Sequence, residues 1–216
     1  MSTITGTAII NAAAFTLQDA TNTQWDRAEL FGYVNDGQRD ICLAKPDACT
    51  VNASVALIAG TKQAIPAGAN AFVKIARNMG TNGTTPGRVP REIPLAVLDM
   101  QNPNWHTATA SAIVMEYGYD ERDPKTYYVS PPQPASGMGQ VELVYFGVPA
   151  DLSAEANTIG LDDIYKTALV NYLIYRAYLK EGEFNNPAGA TAHRAEFLAL
   201  LGAKDKAEED DGKAGK

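Results

Sequence analysis

"YVNDGQRDICL", residues Tyr33–Leu43, sets two readings of the chain against each other. Asn-Asp-Gly is tight-turn chemistry, and Asp-Gly between apolar runs signals a β-hairpin. The flanks, however, do not alternate as strands do. Leu30, Val34 and Ile41 fall on one helical face, and Gly37 sits on the same stripe. This periodicity predicts a helix from about Trp25 to Leu43. Lys45-Pro46 ends it, because the residue before proline is pushed out of the α region. Glycine inside a helix costs about 1 kcal/mol relative to alanine. Gly37 is therefore expected to mark the close approach of another helix, the C-terminal one being the candidate.

Upstream, Ile10, Ala13, Ala14 and Leu17 form the face of a first helix that Thr5 or Thr7 can cap. "DATNTQ" (19–24) is a loop. Downstream, "TVNASVALI" and "AFVKIA" within 50–76 are β-rich, and 78–90 reads as a mobile surface loop. A short helix is expected from Pro94 to about Met100. Residues 112–147 read as a three-stranded antiparallel meander, "AIVMEYGY", "TYYVS" and "QVELVYFGV". Its tyrosines, Tyr117, Tyr119, Tyr127, Tyr128 and Tyr145, suit cross-strand pairing better than a binding face.

Helix returns from Asp162 to about Glu181. Its apolar residues form three stripes, including one through Tyr172 and Tyr175, so its own fold or another subunit must bury it. "NNP" (185–187) starts a last helix that buries Phe197 and Leu201 and is expected to end at Gly202. The class is α+β: a bundle of N- and C-terminal helices (5–44 and 162–202) with a central antiparallel β-rich insertion (50–147). A single domain is expected over 1–202, followed by a disordered, charged C-terminal tail at 203–216.

The 216 residues are 45% apolar and 20% charged, and the net charge of −7 argues against general nucleic-acid binding. From Ala48 to Arg91 there is no acid but five bases, Lys62, Lys74, Arg77, Arg88 and Arg91. A sheet face whose neighbours carry the acids is the plainer account; contact with an acidic partner is the functional one. Cys42 and Cys49 do not make a disulfide framework, so a reducing compartment is the default expectation. No basic residue precedes Arg27, which leaves Ile9–Phe15 without a secretory-signal pattern, and no stretch reads as a membrane span.

Catalytic chemistry is hard to assemble. His106 and His193 lie far from any ligand-spaced Cys, Asp or Glu, and no nucleophile elbow, phosphate loop or dinucleotide fingerprint occurs. Asp120, Glu121 and Asp123 could bind a cation or share acid–base work, but they sit between two strands and end in Asp-Pro, which favours a solvated turn. No cofactor or metal is called for.

Taken in order, "YVNDGQRDI", "AGTKQAIPAGA", "PNWH", "YGYDERDPKTYYVSPP", "VELVYFGVPADL" and "YRAYLKEGEFNN" resemble the head-to-tail adaptor (connector) proteins of short-tailed bacteriophages, over about Leu17 to Phe197. The resemblance implies a virion protein that forms a ring, commonly of twelve subunits, between the portal protein and the tail nozzle. DNA would pass through the channel without being read, and the activity would be structural. Candidate interaction residues are Arg77, Arg88, Arg91, Gly37, Tyr172 and Tyr175, with Lys204, Lys206 and Lys213 in the tail. The competing readings are another phage neck or tail-completion protein, or a small hydrolase using Asp120, Glu121 and Asp123.

Overall fold

The stretch Tyr33–Leu43 is helical. It lies within α2 (Arg27–Ala44), which Asp26 caps by accepting a hydrogen bond from the Ala28 N–H at 2.7 Å and which stops one residue before Lys45-Pro46. The computed structural model describes residues 2–214, the side chains of residues 203–214 excepted. It divides into two compact units, one of Met1–Ala48 with Pro149–Lys216 and one of Cys49–Val148.

The helical unit holds α1 (Gly6–Thr16), α2, α4 (Lys166–Leu179) and α5 (Pro187–Ala214). Thr5 caps α1 through its side chain. Ile9, Ile10, Ala13, Ala14 and Leu17 are buried, as the apolar spacing requires. α4 is the centre: α1, α2 and α5 all pack on it. Its buried residues, Ala168, Leu169, Tyr172, Leu173, Ile174 and Ala177, go round most of the helix. The all-round apolar character is thus largely explained within the subunit. A 3-10 turn, Asp163–Tyr165, precedes α4, so the helix begins later than Asp162. Asn186 caps α5 by accepting the Gly189 N–H. α5 runs past Gly202 to Ala214, because 203–214 is rich in Ala, Lys and Glu and contains no proline. The expected tail, with Lys204, Lys206 and Lys213, lies outside the described side chains.

The β unit contains two sheets. β1 (Thr50–Ala56) and β3 (Ala69–Asn78) flank β7 (Gln140–Gly147), all antiparallel. The second sheet runs β2 (Gly60–Ala64), β6 (Thr126–Gln133), β5 (Glu116–Tyr119), β4 (Arg91–Glu92), with β4 parallel to β5. Leu57, Phe72, Ile75, Val114, Tyr117, Tyr127, Val129, Val141 and Leu143, from both sheets and their connections, form one core cluster. Phe72 stacks on Tyr127 at 4.8 Å and meets Tyr117 edge-on at 5.8 Å, so these tyrosines are core packing.

Three expectations fail here. The meander over 112–147 is not one: β5 and β6 form a hairpin, but β7 leaves them for the centre of the other sheet. Strand β5 is also shorter than 112–119, because the Val114 N–H and carbonyl are taken by the Asn78 side chain at 2.8 and 2.9 Å rather than by a neighbouring strand. The same side chain and its backbone pin the base of the 78–90 loop through Arg88 and Gly87. The short helix α3 spans Leu95–Gln101 with Pro94 as its N-cap. Cys42 and Cys49 are not the free thiols that were expected; both are disulfide-bonded.

Candidate functional site

In the helical unit, α2 meets α4 at Gly37. A Cβ placed there would lie 2.9 Å from Tyr172 Cδ1 and 3.0 Å from Leu169 Cδ2, closer than side chains pack. The glycine therefore sets the distance between the two helices. The polar residues beside it, which gave the stretch its turn character, all have work across this seam or next to it. The Arg176 guanidinium lies 4.7 Å over the Tyr33 ring and 3.6 Å from Asp36. Tyr33 donates to Glu29, which is paired with Lys180. Asn35 Oδ1 accepts the Leu152 N–H, and Gln38 Oε1 accepts the Gly160 N–H. Arg39 pairs with Asp36 and Asp151. Burial and the Glu29 carboxylate push the Tyr33 phenol up to about 12. Burial and the hydrogen bond to Asp40 do the same for Tyr172, whose oxygen also accepts from Arg176 at 3.0 Å.

Next to this seam an open groove of ≈ 360 Å³ runs between α2 and α5 over α4. Leu43 and Ala44 form one wall, Phe197 and Leu198 the other, Tyr172 and Tyr175 the floor, and Asp40 and Arg194 the rim. Leu43 is 75% exposed and Leu198 is 51% exposed. Tyr172 packs against Phe197 at 5.4 Å, and Arg194 sits 5.9 Å over Tyr175. The structure thus brings Gly37, Tyr172 and Tyr175 together. It adds Leu43, Arg194 and Leu198, which the sequence reading did not single out. The signal for the two leucines was their position off the apolar stripes of their helices.

The three arginines of the acid-free stretch lie in the β unit. Arg77 pairs with Glu142 of β7, and Arg91 pairs with Glu116 of β5. For these two, the neighbouring-acid account is the correct one. Arg88 reaches only the Met115 thioether, at 2.9 Å, and has no carboxylate partner among the described residues. Asp120, Glu121 and Asp123 occupy the β5–β6 turn. The Asp120 carboxylate accepts the Arg122 N–H, and its carbonyl accepts the Asp123 N–H. Among the described residues no three His, Cys, Asp or Glu side chains converge to hold a metal ion. His106 Nδ1 lies 2.7 Å from the Thr61 hydroxyl, and His193 Nδ1 lies 2.7 Å from Asn171 Oδ1. Burial lowers the His193 pKa.

The helical unit thus offers a partly apolar groove with a polar rim, and the β unit two arginine–glutamate pairs across its strands. The chain belongs to the SU10 adaptor protein family, whose family model matches residues 4–215. This makes it a phage adaptor and a structural component of the virion. No curated protein is significantly similar to it in sequence. Among the described residues no helix is long and apolar enough to cross a membrane.

Proposed function

We propose that the protein is a head-to-tail adaptor whose copies form a ring of twelve between the portal protein and the tail nozzle. The family match across nearly the whole chain carries this reading. In it, the ring retains packaged DNA, provides its exit channel and offers a platform for the tail. It is assembled onto the portal in the host cytoplasm. A net charge of −7 supports a channel in which DNA slides, since a lysine-rich wall would hold the phosphates. The groove lined by Leu43, Tyr172, Tyr175 and Leu198 supports contact between copies or with the portal, because such contacts need an apolar patch with a polar rim. Gly37 acts behind it by setting the α2–α4 distance. Arg88, without a carboxylate partner, is the arginine of the basic stretch that remains for a partner surface; Arg77 and Arg91 contribute less. Residues 203–216, with Lys204, Lys206 and Lys213, supply a second docking element for the portal.

Mixing the purified protein with portal particles and imaging by electron microscopy tests the reading. A twelve-fold layer on the portal is expected, reduced by Leu43→Asp and by removal of 203–216. A protein that stays monomeric at high concentration and never joins the portal overturns it.

A further inference from the structure

We propose that the outer edge of β1 is self-complementary: a second copy of this chain adds its own β1 there, antiparallel, about a two-fold axis at Ala53. The two sheets end in four edge strands, β1, β3, β2 and β4. Edge strands ordinarily carry a device against pairing with another chain. β3 has three register shifts against β7 and carries Lys74 and Arg77. β2 has a register shift between Gly60 and Lys62. β4 is two residues long, and both are charged. β1 has none of these devices. It runs seven residues in one-to-one register with β7, without a charge, a proline or a glycine.

The hydrogen bonds at the end of β1 show which of its groups are spare. The Leu57 N–H donates to the Gly139 carbonyl at 3.0 Å, whereas Gln140 bonds Met79 and Gly80, on the side of β3. Bonds to an antiparallel neighbour alternate along a strand. Val51, Ala53 and Val55 therefore bond β7, and Thr50, Asn52, Ser54 and Ala56 turn their backbone groups outward. The N–H groups of Asn52, Ser54 and Ala56 have no hydrogen-bond partner among the described residues. Val51, Ala53 and Val55 are only half-buried, an apolar row that a further strand would cover. The order of residues selects the occupant. With Ala53 opposite Ala53 of the second copy, Val51 faces Val55, Asn52 faces Ser54 and Thr50 faces Ala56. Every outward-turned residue then meets another, for about eight backbone hydrogen bonds, and the apolar rows coincide. Residues 48–61 hold no charge, so an acidic or basic strand finds no counter-charge on this edge. An isologous contact closes with two copies and does not propagate into a ring. It is a pairing of free copies, and the inference does not rest on the adaptor reading.

The contact is one strand wide, so the dimer should be weak, with a dissociation constant of about 100 µM. Sedimentation velocity of the full chain from about 5 to 500 µM should show a monomer–dimer equilibrium and nothing larger. Over that range, NMR should show amide exchange with water at Asn52, Ser54 and Ala56 slowing about threefold, with Val51, Ala53 and Val55 unchanged because β7 already protects them. This readout needs no variant. Two double variants then test the register. Asn52→Lys with Ser54→Lys sets like charges opposite each other twice and should weaken the dimer about tenfold. Asn52→Lys with Ser54→Glu sets opposite charges there and should restore it. Position 52 lies beside Glu142 within the chain, which suits a lysine in both variants. A chain that stays monomeric at about 500 µM, a dimer that leaves the three amides unprotected, or equal weakening by the two double variants would each overturn the proposal. So would a dimer that Leu43→Asp dissolves, or protection of the three amides that begins only when portal particles are added.

Discussion

The two units bury similar apolar cores but join their segments with different groups. In the helical unit, side chains of α1, α2 and α5 close around α4, and the helices satisfy their own backbones. In the β unit three buried amides hold the connections. Gln63 bonds the Ile58 N–H and carbonyl, at 2.8 Å each, and the Gly60 carbonyl; Asn78 bonds Arg88 and Val114; Gln133 bonds the Ser111 carbonyl and the Gly139 N–H. A buried amide of the helical unit, Gln38, uses only its oxygen, and its Nε2 has no partner among the described residues. Irregular connections between sheets leave backbone groups inside, and each must be paired. The helical unit should therefore answer mainly to changes of shape and the β unit to loss of hydrogen bonds.

The largest effect expected is at Asn78. Asn78→Ala leaves the Val114 N–H and carbonyl without their side-chain partner in a buried place, a loss of about 3 kcal/mol. Urea unfolding followed by 19F NMR of 5-fluorotryptophan reads each unit separately, since Trp25 lies in one and Trp105 in the other. A loss under about 1 kcal/mol would mean that water replaces the amide, and the contrast between the units would fail.

A matched pair of glycines in α2 tests the shape side. A Cβ added at Gly32 would meet nothing within 4 Å, whereas one at Gly37 would meet Tyr172 and Leu169 at about 3 Å. Gly32→Ala should stabilise by about 1 kcal/mol through helix propensity alone. Gly37→Ala gains the same propensity but must push α4 away, for a net loss of about 1–2 kcal/mol. Peptides of 27–44 carrying either change should both gain helix by circular dichroism. Two changes of equal sign in the folded protein would show that α4 yields freely.

These helices were legible because their signals are local. The period of Leu30, Val34 and Ile41, the Asp26 cap and the Lys45-Pro46 stop all lie within α2 or at its ends. A glycine on an apolar stripe points to a close neighbour but not to which one: the partner of Gly37 is α4, not the expected C-terminal helix. The β unit was legible as strands but not as sheets. Nothing near Gln140 says that β7 will pair with β1 and β3 rather than β6, and nothing near Asn78 says that its amide will end β5 at Val114. The partners of Arg77 and Arg91 lie 65 and 25 residues away. The groove escaped notice because Leu43 and Leu198 look like ordinary surface leucines until α2 and α5 flank α4.

A smaller effect is expected from the paired arginines. Arg77 is 44% exposed and Glu142 is 20% exposed, so screening leaves their ion pair about 0.5 kcal/mol. Arg77→Met should cost that much at low salt and almost nothing at about 1 M salt. A loss that survives salt would mean that the arginine stem, packed on the sheet, matters more than its charge.

The smallest change is local and tests how far the N-terminal segment of the helical unit relies on a side-chain-to-backbone anchor. Its N-terminal segment pairs with 157–159 through Gly6 N–H to Asn157 and Ile159 N–H to Ile4. The Asp163 carboxylate fastens the same segment, accepting from the Ser2 hydroxyl at 2.6 Å, the Thr3 hydroxyl at 2.6 Å and the Thr3 N–H at 2.8 Å. The Ser2 and Thr3 hydrogen bonds hold its pKa below the ordinary aspartate value of about 3.9. A depressed carboxylate contributes stability above its unfolded pKa and loses it as the pH falls toward its folded one. Hydrogen exchange at Thr3 and Ile4 should therefore accelerate, beyond the intrinsic rate, only below about pH 4. In Asp163→Asn the protection should be lower and independent of pH over that range. If the variant keeps full protection, backbone pairing alone fastens the segment, and Asp163 is not an anchor of the kind that Asn78 is in the β unit.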